Sequence, residues 1–154
     1  MSGSPCEVWF YHLERATLEA ALPELLEKTL ARGWRALVRA ATVETLDHLD
    51  RWLWTWRDDS FLAHGRAEEP SAARQPILLT LGEENANGAQ ALFLVEGATA
   101  PDITAFARCV VIFDGRDEVA LAEARSAWAG FKGAGNPVTY WRQGENRGWE
   151  RQMG

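Results

Sequence analysis

The chain has 154 residues, of which 47% are hydrophobic and 25% charged, a composition typical of one folded domain rather than a disordered chain. Its net charge of −6 disfavours broad nucleic-acid binding, because neutralising phosphates requires a basic face. Two cysteines are too few for a disulfide framework or a zinc site, and the sequence shows neither an apolar run of about 18 residues nor a signal peptide. We therefore expect a cytoplasmic protein without metal, cofactor or membrane contact.

Apolar runs and helical spacing predict alternating strands and helices in the first half of the chain. These are a strand over Glu7–His12, a helix over Thr17–Arg32, a strand over Arg35–Arg39 and a helix over Val43–Thr55. Thr42 is a typical N-cap for the second helix, and Gly33 suits the C′ position that ends the first. A long polar loop is predicted over Trp56–Pro76.

The second half continues the alternation. It contains strands over Ile77–Leu81, Ala91–Val95 and Arg108–Phe113, a short helix over Pro101–Phe106, a long helix over Asp117–Lys132 and an extended segment over Val138–Gln143. Several strands are wholly apolar, which indicates buried parallel strands. The pattern predicts a three-layer α/β/α sandwich with a mostly parallel sheet, formed by one domain over residues 1–143 and followed by a polar tail over 144–154.

The sequence contains no recognisable catalytic or nucleotide-binding motif. The first strand-to-helix junction, Tyr11–Ala16, has no glycine, so a phosphate could not approach its backbone closely. His12, at the end of the first strand, and Asp114, after the fifth, are the best placed groups for acid–base chemistry. A small α/β enzyme using these two residues is the alternative hypothesis, although Asp114 followed by glycine is also a common turn.

Two stripes run along the helix predicted over Asp117–Lys132. The first comprises alanines and Phe131 and indicates the face packed on the sheet. The second lies 100° away and comprises Leu121, Arg125, Trp128 and Lys132. A guanidinium and an indole one turn apart suit a ligand that ends in a carboxylate beside a bulky apolar side chain. In the alternative, Arg125 pairs with Asp117 or Glu118 and Trp128 covers the core.

The chain also has eight tryptophans, and three of them cluster around the end of the second helix. There Trp54 falls away from the predicted core face, and Phe61 follows in the loop. Such aromatic residues form either an exposed interaction patch or a satellite core, and the sequence leaves both interpretations open.

Over nearly its full length the sequence resembles the chi subunit of bacterial DNA polymerase III. The segments that carry the resemblance are VWFYHL, LLEKTLARGWRALVR, LDRWLWTWRDDSFLAHG, ILLT, ALFLV and VVIFDGRDEVALAEARSAWAGFKGAGNPVTYWRQ. Two parts are the most specific, because generic α/β patterning does not require them. One is the segment LW…SFLAHG, and the other is the region AR…W…F…AG…YW.

The resemblance implies a non-catalytic adaptor with a Rossmann-like sheet and no nucleotide-binding loop. Members of this family bind the C-terminal tail of single-stranded DNA-binding protein, which ends in an aspartate-rich segment, a proline and a phenylalanine. They also bind the psi subunit, which connects them to the clamp loader, and some engage a repair helicase. No direct contact with nucleic acid is implied.

By position, the family's tail-binding arginine corresponds to Arg125 and an aromatic residue of the same pocket to Trp128. The neighbouring basic positions correspond to Leu121 and Ala129, so this chain departs from the family there, and Lys132 and Arg116 are the candidate replacements. The positions that face psi correspond to Trp54, Phe61 and His64. Ala63 replaces the proline that usually precedes this histidine.

Overall fold

A computed structural model of the chain describes residues 6–56, 63–100, 102–143 and 149–152. Its strands are β1 (Glu7–Leu13), β2 (Ala36–Arg39), β3 (His64–Arg66), β4 (Ile77–Thr80), β5 (Ala91–Val95), β6 (Arg108–Asp114), β7 (Val138–Gln143) and β8 (Trp149–Gln152). Its α-helices are α1 (Leu18–Ala31), α2 (Val43–Thr55) and α3 (Glu118–Gly133).

The strands form one sheet in the order β3-β4-β2-β5-β6-β1-β7-β8. Every neighbouring pair is parallel except β7 with β8, which is antiparallel. The apolar face of α1 and α2 packs on one side of the sheet, and α3 packs on the other. The molecule is therefore the mostly parallel three-layer α/β sandwich that the sequence predicts.

Local signals in the sequence place the helices accurately. The Thr42 hydroxyl accepts a hydrogen bond from the backbone N–H of Thr45 and caps α2, whose bounds are as predicted. Asp117 caps α3 in the same way, and Gly33 follows α1 with a φ of 86°, a conformation that glycine adopts without strain.

Three short segments differ from the prediction. The helix expected over Pro101–Phe106 is wrong for the described residues 102–106, which form turns, because the Asp102 carboxylate accepts hydrogen bonds from the backbone and hydroxyl of Thr104. The polar loop contains the edge strand β3, and the region predicted as a polar tail contains β8. Among the described helices, none has the length and apolar character that a membrane crossing requires.

Candidate functional site

The long helix α3 packs on the sheet through one face, and the edge of that face carries both apolar and basic side chains. Ala124 is buried, and Ala127, Trp128 and Phe131 are half-buried against the core on this side of the sheet. Leu121 is also half-buried, whereas Arg125 and Lys132 are exposed. The structure thus brings Leu121, Arg125, Trp128 and Lys132 together along the margin of α3.

The guanidinium of Arg125 makes no ion pair or hydrogen bond with the described part of the chain. No carboxylate described there pairs with it, and no hydrogen bond holds it. One of the two acidic candidates, Asp117, instead accepts hydrogen bonds from the backbone N–H groups of Val119 and Ala120. The pairing of Arg125 with Asp117 or Glu118 is therefore wrong, whereas Trp128 does pack against the core, as that alternative expected.

Trp128 forms an aromatic wall next to this arginine. Its ring centroid lies 5.6 Å from that of Phe10 in β1 and 5.6 Å from that of Tyr140 in β7, and the planes of Trp128 and Tyr140 meet at 72°. On the exposed side, the Lys132 ammonium lies 5.8 Å from the Trp128 ring, within the range of a cation–π contact. Because neighbouring rings fix the indole, it provides a rigid apolar surface between two cations.

Strand β7 supplies two residues that the sequence analysis missed. Tyr140 and Arg142 are two positions apart, so they share the sheet face that α3 covers. The Tyr140 hydroxyl lies 2.5 Å from Nδ1 of His12, a buried residue of β1. The alternating pattern of VTYWRQ carries the signal for these residues, but only the sheet order shows that this strand adjoins β1 and α3.

Arg125 and Arg142 both act electrostatically on His12 and Tyr140. Burial lowers the pKa of His12, and the positive charges of Arg142 and Arg125 lower it further. Burial raises the pKa of Tyr140, while the same two guanidinium groups oppose that rise. We call the region bounded by Arg125, Trp128, Tyr140 and Arg142 the α3–β7 recess.

Arg142 differs from Arg125 in having a partner. Its Nε donates a hydrogen bond of 2.5 Å to Oε1 of Glu14, and its Nη2 contacts the same oxygen. Glu14 lies just beyond the end of β1. The recess therefore holds one paired guanidinium, on β7, and one exposed guanidinium without a described partner, on α3.

Arg116 lies away from these residues. It precedes α3 by two residues and is about two and a half helical turns before Arg125. Its Nε lies 2.8 Å from Oδ1 of Asp114, at the other end of the helix from Lys132. Its expected role as a replacement for the missing basic neighbours has no geometric support.

The two residues of the enzyme hypothesis do not share a cleft. A groove of about 520 Å³ at the carboxyl edge of the sheet is lined by Asp114, Arg116 and several further carboxylates, but His12 does not line it. The hydrogen bond from Arg116 lowers the pKa of Asp114, which keeps this carboxyl ionised. His12 is closed off beneath Gly115, where a Cβ atom would lie 1.9 Å from its Nε2.

A second surface lies at the opposite end of the sheet, where α2 meets β3. Trp54 is 54% exposed, and its ring centroid lies 4.5 Å from that of the buried His64. Nε2 of His64 is 2.8 Å from Oδ1 of Asp50, so α2 holds this histidine in place beneath the indole. The structure brings Trp54 and His64 together, and Phe61 lies outside the described residues.

Comparison with known proteins adds two findings. A family model described as "DNA polymerase III chi subunit, HolC" matches residues 6–139, most of the chain. A protein of Rickettsia prowazekii (strain Madrid E) named "Probable DNA polymerase III subunit chi" is 28% identical over 85 residues. This match covers 55% of the chain and 52% of the relative, so the chain spans about half the length of that protein.

Proposed function

The chain belongs to the family of DNA polymerase III chi subunits, and from this premise we propose that it links single-stranded DNA-binding protein to the clamp loader during DNA replication. A chi subunit is an accessory component of the polymerase, so no intrinsic catalytic activity is expected. The role also implies that the protein works in the cytoplasm, where a bacterial chromosome lies.

The exposed guanidinium of Arg125 beside the half-buried indole of Trp128 is the observation that supports tail binding. An arginine binds a carboxylate through two parallel hydrogen bonds, and an aromatic wall accepts an apolar side chain. A terminal phenylalanine presents both groups on one residue. In the proposed complex, its α-carboxylate binds Arg125 and its ring packs against Trp128.

The acidic residues before that phenylalanine need further cations. Lys132 lies beside the Trp128 ring and is exposed, so it is the first candidate. Leu121 and Ala129 provide no charge where the family has basic residues. Fewer cations near the peptide reduce the electrostatic part of binding, and we expect a weaker dependence on salt than in relatives with a full basic set.

The surface around Trp54 is the proposed docking site for the psi subunit. A large exposed aromatic side chain supported by a buried histidine resembles the anchor residues of protein interfaces, which are fixed before the partner arrives. Because Trp54 and the α3–β7 recess lie at different ends of the sheet, both partners could bind at once. A repair helicase remains a further proposed partner, and direct binding to nucleic acid is not proposed.

Calorimetric titration of the intact protein with a synthetic acidic peptide ending in Pro-Phe tests the proposal. Micromolar-range dissociation constants are typical of such small interfaces. Arg125→Ala, or removal of the terminal phenylalanine, should abolish most of the binding. Arg74→Ala is the matched control, since Arg74 is exposed on a short 3₁₀ helix away from α3. Equal binding by wild type and Arg125→Ala would refute this site.

A further inference from the structure

The α3–β7 recess contains a carboxylate that belongs to the chain itself. Oε1 of Glu14 accepts hydrogen bonds from Arg142 and lies 3.6 Å from Nε2 of His12. The hydrogen bond from Arg142 also lowers the pKa of Glu14, so this carboxyl is ionised at neutral pH. A negatively charged oxygen of the chain itself therefore lies between a guanidinium and an imidazole, next to the residues proposed to bind an acidic ligand.

The Glu14 side chain can leave this position without unfolding its surroundings. The backbone after Glu14 is held by Gln143, whose Oε1 accepts hydrogen bonds of 2.9 Å from the N–H groups of Arg15 and Ala16. Those bonds involve no atom of the Glu14 carboxylate. A rotation of one side chain is enough to free Arg142.

The pair is also weak enough to be exchanged. The side chains of Arg142 and Glu14 are 53% and 30% exposed, and ion pairs this close to water contribute little net stability. An acidic side chain from a bound peptide would give Arg142 an equivalent partner. Replacing Glu14 by the peptide's carboxylate therefore requires little free energy, because Arg142 keeps one ion pair before and after.

We propose that Glu14 is an internal competitor for Arg142, which is a second carboxylate receptor of the site and selects peptides with an acidic residue before their C-terminus. Arg125 takes the terminal carboxylate, and Arg142 takes a carboxylate further along the peptide once Glu14 has moved away. This inference rests on the proposed function. It assigns to β7 the basic character that Leu121 and Ala129 do not provide on α3.

Calorimetric titration with the same acidic peptide separates this proposal from a purely structural ion pair. Glu14→Gln keeps the size of the side chain but removes its charge, so the peptide should bind about two- to five-fold more tightly, the range expected for one surface ion pair. The gain should disappear in the double variant Glu14→Gln/Arg142→Gln, because the receptor is then absent. Thermal melting checks that each variant is folded.

Two matched controls address net charge. Glu44→Gln makes the same charge change at an exposed residue in the first turn of α2, and it should leave the affinity for the peptide unchanged. A peptide whose acidic residues are replaced by asparagine should show no gain with Glu14→Gln. The inference is overturned if Glu14→Gln binds the peptide with wild-type affinity, or if Glu14→Gln raises the affinity equally in the Arg142→Gln background. In either case, Arg125-dependent binding by the wild type would still support the proposed function. Absence of wild-type binding overturns both.

Discussion

The Tyr140 hydroxyl and Nδ1 of His12 lie 2.5 Å apart and join the last parallel strand of the sheet to the first. The two residues occupy adjacent strands on the face that α3 covers, and Trp128 packs across Tyr140. The contact holds Tyr140 in place beneath Trp128. His12 thereby acquires a structural role in the recess, in place of the catalytic one considered in the alternative hypothesis.

Stability should fall on mild acidification because of His12. Burial lowers the pKa of this imidazole below its ordinary value of 6.5, and the nearby Glu14 and Asp114 carboxylates do not offset the lowering by burial and by Arg142 and Arg125. The unfolded chain therefore takes up a proton first as the pH falls through 6.5, and stability is lost until the pH passes below the folded pKa.

Chemical denaturation between pH 7.5 and 5.5 measures this effect. The His12→Gln variant should show a flatter pH profile over the same interval, whatever its absolute stability. Parallel profiles for the wild type and the variant would mean that another group is responsible.

Gly115→Ala should destabilise the protein. The added Cβ would lie 1.9 Å from His12 Nε2, so the imidazole must move and strain its contact with Tyr140. Overpacking of this kind costs about 1 to 3 kcal/mol. Gly130→Ala is the control, since its added Cβ would meet nothing within 4 Å. Alanine is favoured over glycine inside a helix, so this variant should raise the free energy of unfolding by about 0.5 to 1 kcal/mol. Urea denaturation of both variants should give free-energy changes of opposite sign.

Trp54→Ala should separate binding from folding. The indole is 54% exposed and packs on the buried His64, so its loss should lower the melting temperature by a few degrees and leave the protein folded. A central interface aromatic, however, costs about 2 kcal/mol or more when truncated. Titration with purified psi subunit should show that loss. Val119→Ala, which truncates a 67% exposed side chain on α3, should bind psi normally.

A lysine at position 129 should restore part of the family's basic pattern. Ala129 is exposed on α3, four residues after Arg125 and therefore one turn away. Ala129→Lys should tighten binding of the acidic peptide and make it more sensitive to salt, because another cation faces the peptide. Titrations at low and high salt should show a steeper dependence than for wild type. Ala67→Lys, at the far edge of the sheet, should behave like wild type.

The sequence alone determined the features that short-range signals specify. The bounds of α2 follow from its Thr42 cap and leucine spacing, and the position of Arg125 and Trp128 at the margin of α3 follows from the rotation per residue of a helix. The alternation of apolar strands and helices likewise predicted the layered α/β fold.

Only the tertiary structure decided how residues far apart in the chain are partnered. Glu14 and Arg142, like His12 and Tyr140, are separated by 128 positions and meet because β1 and β7 are neighbours in the sheet. The three-residue strand β3 is too short to show an alternating pattern, so only the order of the sheet reveals it. Helix caps and periodicity depend on residues a few positions apart, whereas strand order and ion pairing depend on how the whole chain packs.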